Sequence, residues 1–106
     1  MKRFDAVMIG FGKGAKTLAA ELAARGEKVA VIEQSDKMYG GTCINVGCIP
    51  TKSLVNSAAE AKRLSSFAEK RTHYARAVEE KNRLTAMLRA KNYAKIADAP
   101  NAEVIT

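Results

Sequence analysis

Two hydrophobic periods succeed one another along the chain, and the change between them marks out its elements. Residues 4–9 read Phe-Asp-Ala-Val-Met-Ile, a short apolar, β-prone run that predicts a buried strand. Three glycines follow at Gly10, Gly12 and Gly14. Residues 17–25 are rich in Leu and Ala and end at Gly26, a natural position just past a helix end, so a helix is expected there. Residues 28–33 carry a second apolar run, Val29-Ala30-Val31-Ile32, closed by Glu33. Strand, glycine turn, helix and strand in this order make a βαβ unit with a right-handed crossover. Residues 35–50 read as a loop holding Gly40, Gly41, Gly47 and both cysteines.

From Thr51 the spacing becomes helical through Leu54, Val55, Ala58, Ala61 and Leu64, with an interruption at Ser65-Ser66. A second helix is expected over residues 72–96, with an apolar stripe of Tyr74, Ala77, Val78, Leu84, Met87 and Leu88 and an i,i+4 pair of Glu79 and Arg83. Asp98-Ala99-Pro100-Asn101 ends it, and residues 103–106 open a third strand. The fold class that follows is α/β: a partial Rossmann-like domain in three layers, with a mostly parallel sheet and a long helical pair after the cysteines. No internal repeat or low-complexity tract is present.

Composition narrows this little. At 106 residues, 47% hydrophobic and 27% charged, the chain reads as one small globular domain with a modest core. No apolar run approaches the roughly 20 residues that span a bilayer, and the N-terminus lacks a secretory pattern, so no membrane and a cytoplasmic location are expected. The formal net charge of +7 comes mainly from residues after Pro50. Such an excess suits nucleic acid, but equally solvated helix faces or a phosphorylated cofactor. No helix-turn-helix spacing or run of stacking aromatics supports nucleic acid. With His73 the only histidine, the two cysteines do not suggest structural zinc; a cytosolic pair at this spacing reads as catalytic or redox-sensing.

Two stretches carry chemistry. Gly10-Phe11-Gly12-Lys13-Gly14-Ala15 fits G-x-G-x-x-G/A: Gly10 permits the tight turn, Gly12 a close approach to pyrophosphate, and small Ala15 the packing of helix on strand. The helix start then offers free amides to phosphate. Glu33, 23 residues after Gly10, stands where a carboxylate accepts hydrogen bonds from an adenosine ribose. Lys13 and Lys16 could touch phosphate, although exposed lysines on a first turn need no ligand to explain them. The second stretch runs Gly40-Gly41-Thr42-Cys43-Ile44-Asn45-Val46-Gly47-Cys48-Ile49-Pro50-Thr51-Lys52. Cys43 and Cys48 can meet if the residues between them form a distorted first helical turn, with Gly47 relieving crowding. Thiols at a helix start should have lowered pKa values.

This stretch resembles the active-site signature of the class I pyridine nucleotide–disulfide oxidoreductases, the family of glutathione reductase, lipoamide dehydrogenase and mercuric reductase. The match is close over residues 4–56. The wording around Gly10–Lys13, Glu33-Gln34-Ser35 and Met38–Gly41 looks most like the branch associated with reactive-chlorine resistance. The resemblance implies FAD as cofactor, NADH or NADPH as electron donor, a small-molecule acceptor and a homodimeric parent. It also implies Cys48 as the thiol beside the flavin, Cys43 as the thiol that meets substrate, Lys52 near the flavin ring, and Gly41 and Thr42 bordering the cofactor. Residues 1–106 then correspond to the N-terminal part of the FAD-binding domain, without the NAD(P)-binding and dimerisation domains, and no turnover is expected from them alone. In that family's strand order the first strand would be left at an edge, so self-association by strand exchange is a further expectation. The competing readings are a flavin-free thiol-redox or thiol-sensing module, and a basic helical module binding nucleic acid over residues 62–95. Tyr39 reads as a loop-packing aromatic and His73 as a helix-surface histidine.

Overall fold

The computed structural model describes all of residues 1–106. The order of elements is β1 (Ala6–Ile9), α1 (Lys13–Ala24), β2 (Val29–Ile32), α2 (Thr42–Asn45), α3 (Cys48–Ala61), α4 (Phe67–Ala97) and β3 (Ala102–Ile105). The three strands form one parallel sheet in the order β1-β2-β3. The register aligns Ala6 with Val29 and Val29 with Ala102, so the three strands run level and end together. Within residues 1–106 the first strand is therefore an edge strand, as expected.

One face of the sheet makes the core. Val29 and Val31 are fully buried there with Ala19 of α1, Ile96 of α4 and Phe11 from the turn after β1, and Ala6, Met8, Ala102 and Val104 pack around them. Alternation along the strands sends Val7, Ile9, Ile32 and Ile105 to the opposite face, where they remain open. The α/β class and the parallel, Rossmann-like sheet agree with the sequence, and the helices of this chain cover one side of it.

Helix boundaries differ from the periodicity in instructive ways. Helix α1 begins at Lys13 rather than 17 because Gly12, extended at φ −81° and ψ −178°, feeds the turn straight into the helix. It ends as expected, with Gly26 at φ +90° and its amide returning to the Ala23 carbonyl. The region expected to be a loop contains α2 and the start of α3. Pro50 stands in the first turn of α3, where its missing N–H has no partner to lose. Helix α4 starts at Phe67 because Ser66 caps it: its Oγ accepts from the Glu69 amide at 3.1 Å while the Glu69 carboxylate accepts from the Ser65 amide.

The stripe expected on α4 holds in part. Ala77, Val78, Leu84 and Leu88 turn inward, but Tyr74 and Met87 face water, and the inward face also takes His73 and Ile96. The reason is volume, since small Ser57 and Ala61 on α3 leave room for a half-buried His73 and Ala77. His73 is thus no surface histidine: its Nε2 lies 2.8 Å from the Ser57 carbonyl. The Glu79–Arg83 pair is not formed, in keeping with the small worth of exposed pairs. The paired α3 and α4 project from the sheet and give the molecule extents of 62 × 21 × 18 Å.

Candidate dinucleotide and dithiol site

A cleft of about 600 Å³ opens at the carboxyl ends of the strands, lined by Ile9, Gly10, Phe11, Gly12, Ile32, Glu33, Gln34, Met38, Gly41, Thr42 and Thr106. The ends of parallel strands are where such sheets bind ligands. Gly10 leaves β1 at φ +96°, which an L side chain rarely adopts, while its amide still bonds the Ile32 carbonyl at 2.7 Å. The chain then turns into α1. Gly12, as N-cap, brings no side chain to bond the first-turn amides, which leaves them for a ligand.

Glu33 is only 9% exposed and is not a solvated strand-end carboxylate. Its Oε2 accepts from the Phe11 amide at 2.9 Å and its Oε1 from the Ser35 amide at 3.3 Å. The carboxylate therefore ties the glycine turn to the end of β2, and each oxygen keeps a lone pair for a hydroxyl. Phe11 is wholly buried under Tyr39, whose ring lies 5.4 Å from Phe11 and 4.8 Å from Tyr93. Tyr39 is a packing residue, and its hydroxyl shares a 2.6 Å hydrogen bond with Thr106 Oγ1.

The cysteine loop lies directly on the glycine turn. Gly41 has φ +85°, and a Cβ there would stand 2.7 Å from the Gly12 Cα. Cys43 then falls on the single turn α2, the chain breaks at Val46 (φ −132°, ψ −33°) and Gly47 (φ −105°, ψ −108°), and Cys48 opens α3. This is the distorted turn that the spacing required. Both cysteines are free thiols, Cys43 half-buried and Cys48 exposed. Contrary to the expected lowering, the Cys43 thiol is held above its ordinary value of 9.0, first by its hydrogen bond with Cys48 and then by desolvation. A four-residue helix supplies little dipole, so the shared proton dominates.

The remaining candidates divide. Thr42 lines the cleft; Lys13 and Gly14 are exposed at the start of α1, and Ala15 is half-buried against the fold. Lys52 is exposed on α3, makes no hydrogen bond or ion pair, and does not line the cleft. Lys16 is not a free surface lysine. It donates to Asn92 Oδ1 at 2.6 Å, and burial, then Lys13 and Lys95, hold its pKa below the usual lysine value. Asn45 went unassigned in the sequence, yet its Nδ2 donates to the carbonyls of Tyr39 at 2.9 Å and Gly41 at 2.8 Å, and its Oδ1 accepts from Arg89 Nε at 2.8 Å. An amide just before the Val46-Gly47 break was the available signal.

Residues 4–105 match the model of the family described as pyridine nucleotide-disulphide oxidoreductase. The chain belongs to this family. Among its relatives, the probable pyridine nucleotide-disulfide oxidoreductase RclA of Escherichia coli K12 is 50% identical over 105 residues, which are 99% of this chain and 22% of that protein. A mercuric reductase of Bacillus cereus is 34% identical over 96% of this chain and 17% of its own length. The solved structure of a Cu(II) complex of the HOCl-induced flavoprotein disulfide reductase RclA from E. coli superposes with a TM-score of 0.85, covering 99% of this chain and 22% of that one. The chain thus spans about a fifth of the length of these relatives. The comparisons favour neither the flavin-free thiol module nor the nucleic-acid module. No helix is long and apolar enough to cross a membrane.

Proposed function

We propose that this chain forms the flavin-cradling and dithiol-bearing part of an NAD(P)H-dependent disulfide oxidoreductase. The observation that carries the reading is the contact of Gly41 with Gly12, which brings the cysteine loop onto the uncapped start of α1 beside one cleft. The residues present fit FAD: an open left-handed Gly10, a Gly12 whose Cβ would meet nothing within 4 Å, free first-turn amides and a fixed Glu33. Bound FAD supplies two-electron chemistry between NAD(P)H and sulfur. In this reading the amides of Lys13, Gly14 and Ala15 hold the pyrophosphate. Glu33 accepts hydrogen bonds from the adenosine ribose, while Gly41 and Thr42 border the cofactor. Cys48 is the thiol beside the flavin and Cys43 the one that meets a small-molecule acceptor. Lys52 lies near the flavin ring and favours its reduced, anionic form. The two thiols cycle with a Cys43–Cys48 disulfide, giving up two electrons and two protons each time the S–S bond forms.

Residues 1–106 are, on this reading, the N-terminal part of an FAD-binding domain within a cytoplasmic homodimer, and the open edge of β1 lets separate copies associate by strand exchange. The test is a titration of FAD against the chain, followed by flavin fluorescence. Saturable binding that Gly12→Val abolishes and Val55→Ala leaves intact is expected. Equal binding by Gly12→Val, or none by the unsubstituted chain, refutes the cradle.

A further inference from the structure

The turn that carries Cys43 cannot hold its own position. Helix α2 has four residues, and one helical turn fixes more dihedral freedom than its few hydrogen bonds repay. The break at Val46 and Gly47 also uncouples it from α3. Buried Ile44 anchors the turn, and Asn45 orients it through a side-chain amide that is fully committed: it donates twice, to the Tyr39 and Gly41 carbonyls, and its oxygen is left facing Arg89 of α4. Arg89 is half-buried and pairs with no carboxylate, so its bond is made to the loop alone. One turn further along α4, Asn92 leans on the same loop. A Cβ at Gly40 would lie 3.3 Å from its Cγ, and Lys16 holds its Oδ1.

We propose that Arg89 is a positioning residue for the Cys43–Cys48 pair: by fixing Asn45 from α4, it sets the separation of the two thiols and hence how readily they close into a disulfide. The proposal rests on the redox reading of the two cysteines. Without the Arg89 bond, α2 samples positions in which Cys43 stands away from Cys48. The dithiol then loses effective concentration, while the thiols themselves are chemically unchanged. A hydrogen bond from a charged, half-buried donor corresponds to about tenfold in an equilibrium constant.

The experiment equilibrates the full chain in mixtures of reduced and oxidised dithiothreitol and quantifies protein thiols after acid quench. Closure of the protein disulfide releases two electrons and two protons, which the oxidised dithiothreitol takes up as its own S–S bond opens to two thiols. Arg89→Met is expected to lower the closure constant about tenfold. Arg89→Lys should lower it less, since the cation remains without the guanidinium's reach. Arg83→Met, an exposed arginine on the same helix with no bond to the loop, should leave it unchanged. A closure constant for folded Arg89→Met equal to that of the unsubstituted chain overturns the proposal, even if its melting temperature falls, because a purely structural role moves only the latter. Should Arg89→Met fail to fold by circular dichroism, Arg89→Lys carries the test, and an unchanged constant there overturns it. A parent chain that stays dithiol throughout overturns the redox reading and this proposal with it. A parent that cycles beside an unchanged variant overturns this proposal alone.

Discussion

Alanine at position 41 tests whether the cysteine loop truly rests on the glycine turn. The perturbation is one methyl group, and two costs are readable. Gly41 lies at φ +85°, where an L side chain costs about 1–2 kcal/mol. The added Cβ would also stand 2.7 Å from the Gly12 Cα. Both partners are backbone, so no rotamer change relieves the clash, and overpacking of this kind costs about 1–3 kcal/mol. The sum, about 2–5 kcal/mol, is large against the roughly 5–15 kcal/mol that stabilises a domain. At about 4–8 °C per kcal/mol for a chain near this length, Gly41→Ala should melt at least about 8 °C below the parent. Gly12→Ala is the matched control. Its φ of −81° suits any residue and its Cβ meets nothing within 4 Å, so only an N-cap effect of about half a kcal/mol remains. Thermal and urea unfolding by circular dichroism, with unchanged m-values, give both numbers. The reasoning fails if Gly41→Ala melts within about 2 °C of the parent, or if Gly12→Ala loses as much.

Three further outcomes are expected. Glu33→Ala strands the Phe11 amide in a buried turn and should cost about 1–3 kcal/mol in urea unfolding, with Glu33→Gln losing less because it keeps one acceptor. Cys43 should alkylate with iodoacetamide on a pH profile centred above 9.0, and Cys48→Ala, which removes the largest cause of the shift, should bring that midpoint down. Since the folded pKa of Cys43 is raised, its contribution to stability is present below its unfolded value and disappears as pH climbs through the folded one. Ile96→Ala, which empties a fully buried position, should cost about 2–5 kcal/mol, whereas Phe67→Ala, at 80% exposure, should stay within about 0.5 kcal/mol.

Local signals carried most of the fold. The two strands, the turn at Gly10, the helix end at Gly26 and the boundary at Ser65-Ser66 each follow from chemistry within a few residues, and the structure has all of them. The misplaced features depend on partners distant in sequence. How the inward face of α4 is filled depends on Ser57 and Ala61 on the neighbouring helix, so a periodicity count over α4 alone included Tyr74 and Met87, which face water, and passed over His73, which packs on α3. Helix α2 escaped notice for a related reason: a single turn has no amphipathic repeat to detect, and part of its support is a hydrogen bond from Arg89, 44 residues from Asn45.

The same distinction explains what could be read of the site. Cradle residues are legible one by one, because a left-handed glycine or a strand-end glutamate announces a backbone requirement at its own position. The relation between cradle and dithiol is not, because it resides in contacts between segments: Gly41 on Gly12, Glu33 on Phe11, Asn45 on Arg89. These contacts make the turn, the loop and the long helix one mechanical unit. A disturbance that lifts the cysteine loop therefore also opens the cleft beside the start of α1. Affinity for a dinucleotide and closure of the Cys43–Cys48 pair should consequently fall together in Gly41→Ala, whereas Arg89→Met should weaken closure while leaving the amides of α1 and Glu33 in place.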